Sequence, residues 1–229
     1  MNETLFTAAA LIIPLIIAIV FHEVAHGLTA RMLGDPTAAE QNRLSLNPFR
    51  HVDPIGTIVV PGMLALLKGP VFGWAKPVPI NPNRLANPRY GMMAVAAAGP
   101  GSNLVLAAFG AVALGLMVRA YSGQEPGALG LFVATSLNYF ILINIFLALF
   151  NLLPVPPFDG SHIMEGLLPR RAARAYARTR PFGFPLLFLM LLVLPYFFPQ
   201  LGIIENVVLP PVEWARGYYF ALAEAVAGI

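Results

Sequence analysis

Apolar residues fall in long uninterrupted blocks along the chain, separated by stretches rich in proline, asparagine and arginine. The first block runs from Leu5 to Leu33, and Gly34-Asp35-Pro36 stops it with a glycine C-cap followed by a proline. At about 1.5 Å per residue this helix crosses the roughly 30 Å hydrocarbon core of a bilayer and protrudes from it. Pro14 is expected to kink it modestly. Two more spanning helices are predicted at 92–118 and 128–150, and another at 182–198. The segment 203–229 is either a last crossing or an interfacial helix, because Glu205, Glu213 and Arg216 interrupt it. Ile55–Leu67 is apolar but short and is broken by Pro61-Gly62, so a re-entrant or interfacial segment is expected there. The stretch 42–89 around it, with Arg43, Arg50, Lys68, Lys76 and Arg84, is expected to be irregular or short-stranded on one side of the bilayer.

Composition turns this pattern into a fold class. Of 229 residues, 58% are hydrophobic and 11% charged, where a soluble domain carries about a quarter charged residues. One core cannot hide that much apolar surface. The expectation is a polytopic α-helical membrane protein, a single domain over 1–229 with about 4–6 spanning helices in all. The absence of cysteine excludes disulfides, thiolate metal sites and a cysteine nucleophile. Met1–Thr4 lacks the basic start of a cleavable signal peptide, so the first helix is expected to be retained.

Charge gives the orientation. If Ile55–Leu67 turns back, Arg31 to Arg89 share one side with the Arg170–Arg180 cluster, and the positive-inside rule makes that side cytoplasmic. The Arg170–Arg180 run has only Tyr176 interleaved, which suits anionic lipid headgroups and not nucleic acid. Tyr196, Phe197, Phe198, Trp214, Tyr218 and Tyr219 fit interface anchors.

Chemistry concentrates in the first helix, at His22-Glu23-Val24-Ala25-His26. Histidines at i and i+4 lie one above the other on a helical face, so both imidazoles can reach one metal ion. Glu23, beside the first, is close enough to take a proton from a metal-bound water. An ionisable residue costs on the order of 3 kcal/mol at the bilayer centre, which argues for function over incidental polarity. A catalytic zinc needs a third protein ligand and an open position. Beyond the motif the chain has two histidines and three aspartates. Asp159 stands out among them, in the ligand loop 151–160 directly after a helix that ends on the same side and at the same depth as His26.

With HExxH in a membrane helix and Asn151, Pro154, Asp159 and Gly160 in an N-x-x-P-x-x-x-x-D-G stretch, the chain resembles the site-2 proteases, the zinc metalloproteases of intramembrane proteolysis. Gly99-Pro100-Gly101-Ser102-Asn103 is similar to the family's G-P-x-x-N. The resemblance implies one zinc ion held by His22, His26 and Asp159, with Glu23 as the catalytic base. It further implies a three-helix catalytic core near the cytoplasmic face of a bacterial inner membrane, and a small membrane-associated sheet beside the site. No polar stretch is long enough for an appended peptide-binding or regulatory domain, so this is the compact form.

The function expected is hydrolysis of a peptide bond in or near the transmembrane segment of a membrane-protein substrate. An extended strand in Leu44–Ile80 is expected to offer an open edge to that substrate, although Pro77 and Pro79 cannot donate. The alternative is a membrane metal transporter or a metal-binding scaffold using the same His/Asp cluster. Asn103 and Asn151 are candidates for an oxyanion donor or for orienting a ligand. Against this, Asn103 could satisfy backbone freed by Pro100, and Asn151 could cap its helix. A second metal site at His51 and Asp53 is weaker than a turn started by Asp53-Pro54, and His162 is either a partner of Asp159 or simply exposed.

Overall fold

A computed structural model describes residues 3–66, 73–121, 124–198, 200, 202 and 204–229. The end of the Ile55–Leu67 run, Lys68 and positions 122–123 lie outside them. The described residues form helices and irregular backbone, with no strand. In chain order the α-helices are α1 (Glu3–Met32), α2 (Thr37–Glu40), α3 (Val60–Leu66), α4 (Pro88–Tyr121), α5 (Ala128–Asn151), α6 (Asp159–Leu167), α7 (Arg170–Ala177), α8 (Gly183–Phe188), α9 (Leu194–Phe197) and α10 (Leu209–Ala227).

Among the described residues α1, α4 and α5 are long and apolar enough to cross a membrane. They pack on one another, and their outer faces carry large exposed apolar side chains such as Ile12, Ile16, Phe109 and Leu131. The inner faces are lined with small residues and amides: Ala10, Ala18, Gly99, Asn103, Ala107, Asn144 and Ala148 are all buried. Between lipid-facing helices hydrophobicity gives no drive to associate, so small residues that let backbones approach take over that role. α10 lies along α4, with Val212, Ala215 and Ala223 in a shared apolar cluster with Ala107, Ala111, Leu114, Ile141 and Ile145. The Tyr219 hydroxyl donates to the Leu104 carbonyl over 3.1 Å.

The predicted 182–198 helix is present as α8 and α9 joined by a π-helical turn over Leu189–Val193. At about 1.5 Å per residue that run is roughly 22 Å long, short of the roughly 30 Å hydrocarbon core. Its pieces follow the prolines at 181, 185 and 195, each of which removes a helical donor.

The end of α1 is set by Gly34, whose φ of +105° an L side chain rarely adopts. The Asp35 N–H reaches back 2.9 Å to the Ala30 carbonyl, and Gly34 bonds Arg31, which closes the last turn on its orphan carbonyls. Asp35 is then fully buried, and its carboxylate accepts from the Thr37 N–H, the Thr37 hydroxyl and, over 2.6 Å, the Asn81 N–H. This one side chain pins the segment 73–81 to the end of α1.

The described part of the Ile55–Leu67 run is helical. From Asp53, which caps a π turn at Pro54–Val59 through the Ile55 and Gly56 N–H groups, the chain continues into α3. It returns so that the Trp74 N–H bonds the Gly56 carbonyl over 3.0 Å. Segment 73–81 then runs without helix, fastened at alternate positions. Lys76 donates its N–H to the His51 carbonyl (2.9 Å) and accepts from Arg43 Nη2 (2.7 Å).

Burial pushes the Asp35 carboxyl up, but the donors from Thr37 and Asn81 outweigh it and hold the group below the ordinary carboxylate range. A pKa depressed in the folded state means that the native chain binds fewer protons there than the unfolded chain. Its stabilisation is complete above the ordinary value of about 4 and is lost as pH falls through the depressed one. Replacing Asp35 with Asn should cost about 2 kcal/mol at pH 7, as expected for charge-assisted hydrogen bonds. In thermal unfolding of the detergent-solubilised protein, the gap in Tm between wild type and variant should close as pH drops below about 4.

Candidate metal centre

His22 and His26 stand one turn apart on the inner face of α1, with ring centroids 4.6 Å apart and nearly perpendicular planes. Asp159 reaches them from the first turn of α6, and Gly160 makes that approach possible. A Cβ there would lie 2.3 Å from the Leu152 carbonyl and 2.4 Å from that of Leu153, so the turn at the end of α5 closes on glycine alone. From the third side, Gly99 of α4 faces both rings. A Cβ at that position would sit 2.4 Å from His26 Nε2 and 2.7 Å from His22 Cε1.

The tautomers follow from the partners. His26 Nδ1 lies 2.7 Å from the Val95 carbonyl, which can only accept, so this nitrogen carries the proton. His22 Nδ1 lies 2.6 Å from Asn103 Oδ1. The Asn103 amide nitrogen is committed to two acceptors, the Ala18 carbonyl (3.2 Å) and Asn144 Oδ1 (2.8 Å), so its oxygen faces His22 and accepts. Both Nε2 atoms are left with lone pairs. They lie 3.0 Å apart, and Asp159 Oδ2 lies 3.2 and 3.3 Å from them. This oxygen is buried and has no hydrogen-bond partner.

Three potential ligand atoms thus converge, one from each side chain, in a group that could hold a metal ion. Tetrahedral zinc with bonds of about 2.0–2.1 Å places its ligands about 3.3 Å apart. The donor set and its spacing fit that ion. His22 and His26 are buried, while the Asp159 side chain is 20% exposed, so the cluster opens on the Asp159 side.

Glu23 is half-buried, and its Oε2 accepts the Val78 N–H over 2.8 Å. Val78 sits between Pro77 and Pro79 and packs over Gly27, where a Cβ would come within 2.9 Å of Val78 Cγ1. Asn103 contacts His22 and not the backbone freed by Pro100. The Asn151 amide donates to the Leu147 carbonyl of its own helix, 2.9 Å away. His51 Nε2 lies 2.8 Å from the Ser45 carbonyl, and Asp53 caps its turn, so these two do not converge. Nδ1 of His162 lies 3.3 Å from Arg180 Nη2. Burial, reinforced by that guanidinium, pushes the imidazole below its ordinary range, so it is neutral at pH 7. Two participants were not singled out in the sequence, Asn144 and the Val78 N–H. Neither had a signal there, since both act through partners more than forty residues away.

Membrane-crossing helices around a buried His-His-Asp cluster with an adjacent glutamate define a membrane-embedded metalloprotease. Residues 115–194 match the family model described as Peptidase family M50. The chain is 41% identical over 185 residues to the Bacillus subtilis (strain 168) protein named "Putative zinc metalloprotease YwhC", covering 81% of this chain and 80% of that protein. It is 28% identical over 180 residues to "Putative zinc metalloprotease Rip2" of Mycolicibacterium smegmatis, covering 79% of this chain and 65% of that protein. No solved structure matches. The chain belongs to peptidase family M50, and it is a zinc metalloendopeptidase of the site-2 protease type.

Purified protein is expected to carry about one zinc per chain. Gly99→Ala should lose it while leaving α4 helical, since a single methyl occupies the space of both rings. Metal analysis together with far-ultraviolet circular dichroism checks both halves of this statement.

Proposed function

We propose that the protein cleaves a peptide bond in or near the transmembrane segment of a membrane-protein substrate, with His22, His26 and Asp159 as zinc ligands and Glu23 as general base. The observation that carries this reading is the convergence of His22, His26 and Asp159 beside a helix long and apolar enough to cross a membrane. Bound zinc supplies Lewis-acid polarisation of the scissile carbonyl and acidifies a water. Glu23 takes the proton from the attacking water and delivers it to the leaving amine. Its Oε2 is held by the Val78 N–H, which leaves the second oxygen for the water. The ligand rings are held in the required tautomer by Asn103 and the Val95 carbonyl.

The site lies about 9–15 Å from the C-terminal end of α1, counting at about 1.5 Å per residue. A substrate helix therefore has to unwind near one face of the membrane, which we assign to the cytoplasm of a bacterial inner membrane from the arginines around the site. The return of the chain from Gly56 to Trp74 supports a re-entrant segment there, and α10 lying along α4 supports a further crossing. We assign the exposed arginines of α7 to anionic headgroups.

How the unwound substrate is held follows from segment 74–79. The N–H groups of residues 74, 76 and 78 are already bonded, and Pro77 and Pro79 have none. Among the described residues this leaves Ala75 as the one free amide donor of the segment. An added substrate strand would therefore be bound through its own N–H groups, donated to carbonyls of this segment.

Two experiments test this reading. Glu23→Gln should retain zinc and lose cleavage of a membrane-embedded substrate by at least about a hundredfold, as expected for loss of a general base. Cleavage that survives in this variant assigns the base elsewhere. Cysteines placed singly at Gln41, Arg84 and Thr179 should be shielded from an impermeant outside reagent, with Gln124 reactive. Labelling at 84 from outside would mean that Ile55–Leu67 crosses the bilayer and would overturn the re-entrant assignment.

A further inference from the structure

Helix α5 carries three asparagines whose amide nitrogens donate to the carbonyl four residues back: Asn138 to Ala134, Asn144 to Phe140 and Asn151 to Leu147, each at 2.8–2.9 Å. Only in Asn144 is the oxygen also bonded across to another helix. That residue is fully buried, as is Asn103. Back-bonding uses one amide hydrogen and leaves the oxygen open; in the fully buried Asn144 that oxygen is met by Asn103 of another helix.

The bonds form a chain with one direction. The Phe140 carbonyl can only accept, so it takes the Asn144 Nδ2 and turns Asn144 Oδ1 outward. Asn144 Oδ1 then takes Asn103 Nδ2 over 2.8 Å, with the Ala18 carbonyl taking the other amide hydrogen. Asn103 Oδ1 is thereby turned to His22 and accepts the Nδ1 proton, which leaves Nε2 unprotonated. Reversing either amide would set donor against donor or acceptor against acceptor at every later step. A reversed Asn103 would oppose its NH₂ to the His22 Nδ1–H and favour the other tautomer, which has no lone pair to offer at Nε2.

We propose that Asn144 is a positioning residue of the zinc centre: through Asn103 it fixes the tautomer in which His22 can bind the metal, so that α5, which supplies no ligand, sets the affinity of the site. The proposal rests on the reading of His22 as a ligand. Removing a residue that orients a metal ligand costs roughly 10–100-fold in metal affinity, and Asn144, one step further out and shared with Ala18, belongs at the lower end of that range.

The test uses the full chain in detergent, with zinc affinity measured by competition against a chelator. Unfolding of the metal-free protein and the visible spectrum of the cobalt-substituted protein are recorded alongside. Asn144→Leu, close in volume, should bind zinc about tenfold more weakly and shift the cobalt bands. Asn138→Leu removes the same back-bonding amide from the same helix and should leave affinity and spectrum unchanged. Asn144→Asp, buried as the neutral acid, can donate its O–H to the Phe140 carbonyl and accept from Asn103, and should hold zinc within about threefold of wild type, which also covers the case in which the leucine variant does not fold. His22→Ala should bind no zinc at this site. Wild-type affinity in Asn144→Leu, or an equal loss in Asn138→Leu or in Asn144→Asp, overturns the relay while leaving the ligand set intact. Full zinc binding by His22→Ala overturns the ligand set and the relay with it.

Discussion

Three potential metal-ligand atoms stand 3.0–3.3 Å from one another inside a membrane protein, and the helices around them are arranged to keep that convergence in place. Each imidazole has given its only proton away at Nδ1, one to the Val95 carbonyl and one to Asn103. Both of those partners belong to α4, so α4 has to lie against α1 closely enough to reach them, and Gly99 is where that closeness is achieved. The same contact therefore sets the helix spacing, the protonation state and the metal preference. A larger residue at 99 or a shift of α4 along its axis would disturb all three together.

Cost explains why the polar groups are so tightly bound to one another. An unsatisfied amide or carboxylate away from water costs several kcal/mol, and lipid offers no replacement partner. Ala18, Asn103, Asn144 and Phe140 answer this by bonding the buried amides to one another and to backbone carbonyls across three helices. The Asp159 Oδ2 is among the few buried polar atoms left without a hydrogen-bond partner, and it lies at the candidate metal centre. Elsewhere the buried apolar residues are mostly small or β-branched, Ala, Val and Ile, while many Leu and Phe side chains are exposed.

Much of this was legible in the sequence because it is carried by short-range rules. The i, i+4 spacing puts two rings on one face whatever the tertiary structure, and Gly34-Asp35-Pro36 ends a helix by backbone geometry alone. Asp159 could be picked out because aspartates are scarce and its loop follows a long apolar helix. Asn144 could not, since its local bond is the same as those of Asn138 and Asn151, and only tertiary packing 41 residues away separates them. The Val78 N–H was hidden for a related reason, because a backbone donor has no side chain to announce it. The expected strand in Leu44–Ile80 is present as irregular backbone among the described residues. Its hydrogen bonds go to a guanidinium, a carboxylate, a threonine hydroxyl and separate turn carbonyls, not to a continuous ladder.

On the proposed function, that difference bears on how Glu23 is positioned beside the segment 73–81. A regular strand would spend its amides on a neighbouring strand and have none left for Glu23. Between Pro77 and Pro79 only Val78 retains an N–H, and this one goes to the carboxylate. The prolines thus remove the donors that could compete for Glu23 and stiffen the backbone that presents the one that remains. Asp35 fixes the far end of the segment by holding the Asn81 N–H, and the Gly56 carbonyl holds the near end at Trp74. With both ends tied to elements that flank the HExxH helix, the distance from Val78 to Glu23 is set by α1 itself. If Glu23 is the base, as proposed, its orientation is set by the protein before any substrate binds.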